Sequence, residues 1–113
     1  MNEDLQTLHD TLLAQHQALH DKLGQTTDLA LAQTIVTEMQ EILHRIDLVQ
    51  GLLFKQTTSE LKESLKKVGV ADAQLTAALA SAQNAAAIVG GISKFLSVVD
   101  QAIDLAKTVA VAK

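Results

Sequence analysis

The sequence predicts an all-α fold: an antiparallel helical bundle, or a set of helical hairpins, of four to five helices in a single domain over residues 1–113. Three observations carry this expectation. There is no proline, and five glycines are the strongest chain breakers in 113 residues. Apolar side chains recur at intervals of three and four, the period of an amphipathic helix. The 48% apolar content includes two aromatic residues, Phe54 and Phe95. Any core must therefore be built from Leu, Ile, Val and Ala, and a chain of this length can bury one without metal or disulfide.

The first helix is expected from Glu3 to about Leu23, with Leu5, Leu8, Leu12, Leu19 and Leu23 on one stripe. Glu3 and Asp4 suit the positive end of its dipole, and Gly24 is placed to stop it. Asp28 is the expected N-cap of a second helix. There Ile35, Met39, Ile42, Ile46, Val49 and Leu53 alternate spacings of four and three, a heptad seam for packing against another helix. Glu38, Glu41, His44 and Arg45 lie away from that seam.

Thr57, Thr58 and Ser59, followed by Glu60, suggest a break and a fresh start, with Leu61, Leu65 and Val68 as the next apolar face. A continuous helix from Asp28 to Val68 is the alternative, because the stripe stays in phase. Gly69 is expected to close this region, and Asp72 to cap an alanine-rich helix carrying Leu75, Leu79, Ala82, Ala86 and Val89. Gly90-Gly91 reads as a turn or flexible joint. The last segment, Ile92 to about Val111, is amphipathic. It has Ile92, Phe95, Val99, Ala102, Ile103, Ala106 and Val109 on one side and Ser93, Ser97, Asp100, Asp104 and Thr108 on the other.

Net charge is −4, unevenly distributed. Residues 1–47 hold eight acids against Lys22 and Arg45, while residues 48–113 hold five acids against seven lysines. The simplest expectation is attraction between the two halves across the bundle; an acidic half offered to a basic partner is the alternative. The acidic pI of 5.4 and the shortage of stacking aromatics disfavour nucleic acid. Lys55, Lys62, Lys66 and Lys67 are interleaved with Glu60 and Glu63, as helical ion pairs would be.

With no cysteine, disulfides, thiolate catalysis and cysteine-ligated metals are excluded. His16 and His20 stand one turn apart, a spacing at which two imidazoles can share an ion. Their neighbours on that face, Leu12, Leu13, Leu23 and Gly24, offer no further ligand, so the simpler expectation is a polar stripe and no metal or cofactor. Glu41-Ile42-Leu43-His44 matches the Glu-x-x-His spacing of di-iron bundles once, where two copies are required. No nucleophile elbow or phosphate loop is present, and the protein is expected not to be an enzyme.

What remains is interaction. The first expectation is a non-enzymatic helical module that self-associates or docks a protein partner, as an adaptor, chaperone or inhibitor does. Its candidate seam is Ile35, Met39, Ile42, Ile46, Val49 and Leu53, together with Ile92, Phe95, Val99 and Ile103. The rival is a membrane-active hairpin over residues 73–111, motivated by an uncharged run across residues 73–93. The acidic opening, Met-Asn-Glu-Asp-Leu, is unlike a signal peptide and favours the cytoplasm, although signal-independent export would leave no such mark.

Overall fold

A computed structural model describes residues 2–82 and 84–110. These residues form four α-helices: α1 (Glu3–Gly24), α2 (Leu29–Gln50), α3 (Ser59–Ser81) and α4 (Ala85–Thr108). Gln83 and Val111, both within the segments expected above, lie outside the described residues.

Each helix begins with the same device. Asn2, Asp28, Thr58 and Asn84 have extended backbones, and each side chain accepts a hydrogen bond from the N–H three residues on, at Leu5, Leu31, Leu61 and Ala87. Such a cap satisfies a donor that has no partner within the helix, and each is worth about 1 kcal/mol. At the other end of α1, Gly24 is the last helical residue and has no left-handed φ. The chain is turned instead by Gln25 and Thr26, whose N–H groups bond to Lys22 O and Leu23 O, and by the Thr26 hydroxyl on Lys22 O at 2.8 Å.

Two expected boundaries are corrected. Gly69 closes nothing: α3 runs through it, and Asp72 lies in mid-helix, not at an N-cap. Gly90 and Gly91 likewise sit inside α4, and the division falls earlier, α3 ending at Ser81 and α4 starting at Ala85, so Ala82 and Ala86 do not share a helix. A glycine inside a helix costs only about 1 kcal/mol relative to alanine, which packing offsets readily. At Gly91 the packing is close: a Cβ there would lie 3.5 Å from both Ala78 Cβ and Leu75 Cδ1. The break expected at the threonines is present, spanning residues 51–58.

The helices pack as a ring in the order α1, α2, α4, α3, with α1 and α4 on one diagonal and α2 and α3 on the other. Short turns make α1–α2 and α3–α4 antiparallel hairpins. Cross-links of rising number show that the hairpins pair in parallel: Gln15 meets Asp72 and Lys22 Nζ reaches Leu79 O, while Arg45 meets Asp100. The segment 51–58 therefore crosses the bundle end diagonally. It is tied down on both sides. The Asn2 N–H donates to Leu53 O at 2.8 Å and Asn2 Nδ2 donates to Lys55 O at 3.0 Å. On the other side Gln56 N–H donates to Ala110 O at 2.9 Å, and Lys55 Nζ donates to Val109 O at 2.9 Å.

The interior is aliphatic. Leu5, Leu8, Leu12 and Leu19 of α1 meet Ile35, Ile42, Ile46 and Val49 of α2, Leu61, Leu75 and Leu79 of α3, and Ile88, Ile92, Val99 and Ile103 of α4. Phe95 is buried among them and Phe54 is not. Each such side chain contributes about 1.5–3 kcal/mol on burial. Among the described residues one ion pair joins the two halves of the chain, and it runs against the net balance: Arg45 of the acidic half holds Asp100 of the basic half.

Candidate interaction surface

The seam marked out in the sequence is consumed within the monomer. Ile35, Ile42, Ile46 and Val49 are buried, as are Ile92, Phe95, Val99 and Ile103, while Met39 and Leu53 are partly buried against the same core. These side chains build the core of the bundle.

The histidines stay apart from any ligand set. His16 is half-buried and His20 exposed, and among the described residues no group of three His, Cys, Asp or Glu side chains converges to hold an ion. His9 packs deeper. One ring nitrogen, Nε2, lies 3.2 Å from the Gln50 amide, and the other, Nδ1, is buried without a hydrogen-bond partner. In the Glu41–His44 segment both end residues are exposed, and Glu41 Oε2 pairs with Arg45 at 2.9 Å.

Arg45 organises the polar side of α2. Its Nε and one terminal nitrogen bind the two Asp100 carboxylate oxygens at 2.8 and 3.0 Å, a bidentate link to α4. These hydrogen bonds hold the guanidinium charged, against the opposing effect of burial. Glu38, two turns earlier in the same groove, has its carboxyl pushed up, first by burial and then by the neighbouring Glu41, with Arg45 pulling the other way.

A different face of α2 is apolar and open. Leu29 is 73% exposed, Val36 40% and Leu43 48%, and the three stand at seven-residue intervals. Ala32, Gln33 and Gln40 lie on the same shallow surface with Leu29 and Val36. Val89 of α4, also exposed, flanks it in a neighbouring groove with Ala30 and Gln33. By contrast, the exposed Leu13, Phe54 and Val70 stand on separate elements. Single exposed apolar residues are ordinary, whereas these three share one face of a single helix. Leu29, Val36 and Leu43 stand one heptad apart in the sequence, but the isoleucine seam beside them carried the stronger pattern.

The fold and surface define a class only: a small four-helix bundle with an apolar outer helix face. No protein-family model, curated protein or solved structure matches the chain.

Proposed function

We propose that the protein is a non-enzymatic interaction module whose working surface is the outer face of α2. The observation that carries this is the spacing of Leu29, Val36 and Leu43, large side chains held in water on a helix whose Ile35, Ile42, Ile46 and Val49 are buried. Such side chains gain from being covered, and their regular placement offers a straight ridge to another helix. The caps and the packed core hold this ridge rigid, so docking orders few side chains. A benzophenone side chain in place of Val36, irradiated in cells, is expected to yield a defined protein adduct, and one in place of the exposed Glu63 of α3 is not. Equal labelling at both sites, or none at Val36, would remove the proposal.

Lipid insertion by the α3–α4 hairpin is the second reading. It is supported by one feature: α4 is long and apolar enough to cross a membrane by length and composition. It requires Ile88, Ile92, Phe95, Val99 and Ile103 to leave the core they share with the other helices. Flotation with anionic liposomes tests it, and protein left at the bottom of the gradient counts against it.

A further inference from the structure

We infer that the bundle opens along one seam, between the α1–α2 hairpin and the α3–α4 hairpin, with residues 51–58 as the strap that lets go. The hairpins part as units, and α3 stays paired with α4. This device goes beyond both readings of function: docking on α2 does not need it, whereas lipid insertion by α3–α4 does.

Chain connectivity picks the seam. Residues 25–28 and 82–84 are the short turns inside the hairpins, and they hold each pair of helices together. Residues 51–58 join one hairpin to the other, and eight extended residues reach about 26 Å. Neighbouring helix axes stand about 8–10 Å apart, so the strap has slack once released. Splitting the bundle the other way, α1 and α3 from α2 and α4, stretches both short turns at once.

Packing picks the same seam. α1 packs more extensively on α2, and α3 on α4, than either hairpin does on the other. Inside the second hairpin the contact is apolar and close where Gly91 passes Ala78 and Leu75. The side-chain links that cross the seam are polar: Gln15 to Asp72 and Thr76, Lys22 to Leu79 O, and Arg45 to Asp100. Water replaces such bonds on opening, as it cannot replace apolar contact. Gln15 also brings to the seam a buried carbonyl oxygen without a partner, which opening hydrates.

The strap is fastened in the same manner. Asn2 binds Leu53 O and Lys55 O at the foot of α1, while Gln56 N–H and Lys55 Nζ bind Ala110 O and Val109 O beyond α4. Once these polar latches are exchanged for water, Leu5, Leu12 and Ile42 are bared on one hairpin and Ile92, Phe95 and Val99 on the other.

Dipolar broadening between paired spin labels tests this in the full chain, which has no cysteine of its own. Thr37→Cys with Ser93→Cys spans α2 and α4, and Thr7→Cys with Lys66→Cys spans α1 and α3; each pair lines a groove on the seam. Gln74→Cys with Lys94→Cys spans α3 and α4 inside one hairpin. All six positions are exposed, so the fold tolerates the labels, and circular dichroism in water checks each labelled chain. In rising urea both seam pairs are expected to lose their broadening together, before the α3–α4 pair does. Arg45→Met is expected to lower the midpoint of the seam pairs by about 0.5 M and to leave that of the α3–α4 pair in place. One common midpoint for all three pairs overturns the inference, as does loss of one seam pair while the other persists, or an equal shift of all three by Arg45→Met.

Discussion

Gln15 of α1 is joined to Asp72 of α3 by a hydrogen bond of 2.6 Å from the amide nitrogen to the carboxylate, and the same nitrogen lies 3.0 Å from the Thr76 hydroxyl. Gln15 is buried on a face otherwise made of leucine, and its carbonyl oxygen has no hydrogen-bond partner. A polar link of this kind fixes the register of two parallel helices that apolar contacts alone hold loosely.

Replacing Gln15 by Glu sets a second carboxylate against Asp72. Chemical denaturation at neutral pH is expected to show a loss of about 2–4 kcal/mol, since the new charge is buried beside a like one. The loss should ease on acidification, starting above the usual carboxylate range, because burial and the neighbouring charge both favour the neutral form of the introduced carboxyl. Replacing Gln15 by Leu removes both the link and the orphaned oxygen, and should cost about 1 kcal/mol or less.

Arg45→Met breaks the bidentate contact to Asp100. Asp100 is partly solvated, so the cost is set at about 1 kcal/mol in low salt and is expected to shrink in 1 M salt. A loss that does not respond to salt would assign the effect to packing of the arginine stem.

Glu38 supplies a pH dependence whose sign is fixed. Its folded-state carboxyl titrates above the usual carboxylate value, so its favourable contribution is complete below that value and is lost as pH rises through the folded one. Glu38→Gln should therefore raise the melting temperature modestly at neutral pH. The gain should vanish in acid, where Glu38 is already neutral.

Gly69 and Gly90 lie inside helices with nothing within 4 Å of an added Cβ. Gly69→Ala and Gly90→Ala should each stabilise the protein by about 0.5–1 kcal/mol, measured by urea unfolding, and should add in the double variant. Destabilisation at either position would mean that the helix breaks there after all.

The starts of α1, α2 and α3 and the isoleucine stripe were legible in the sequence because each follows from local rules: a short polar cap, then a fixed period. The run from Asp28 to Val49 satisfied both. The ends of α3 and α4 were misread because Gly69, Gly90 and Gly91 were taken as stops, although a helical glycine costs little where packing or neighbouring propensity supports the turn. Asn84, followed by three alanines, carried the cap signal for the true start of α4. The links at Arg45–Asp100 and Gln15–Asp72 join residues 55 and 57 positions apart and depend on how the helices are arranged around the bundle, which no local pattern encodes. Ile35, Ile42, Ile46 and Val49 lie in the core with Met39 and Leu53 partly buried against it, and whether such a stripe closes within one chain is a matter of topology that local periodicity does not encode.

The diagonal segment 51–58 holds Asn2 on one side and Ala110 on the other. The two flanks of the bundle thus arrive at one junction beneath it, and the order in which the helices are strung becomes exchangeable. A short linker from Ala110 to Asn2, with a new opening in the exposed turn at Gln25–Asp28, should give a permuted chain that begins with α2 and assembles the same bundle. In such a chain the outer face of α2 would sit next to a free end, so fused reporters could be brought close to the ridge without disturbing the junction.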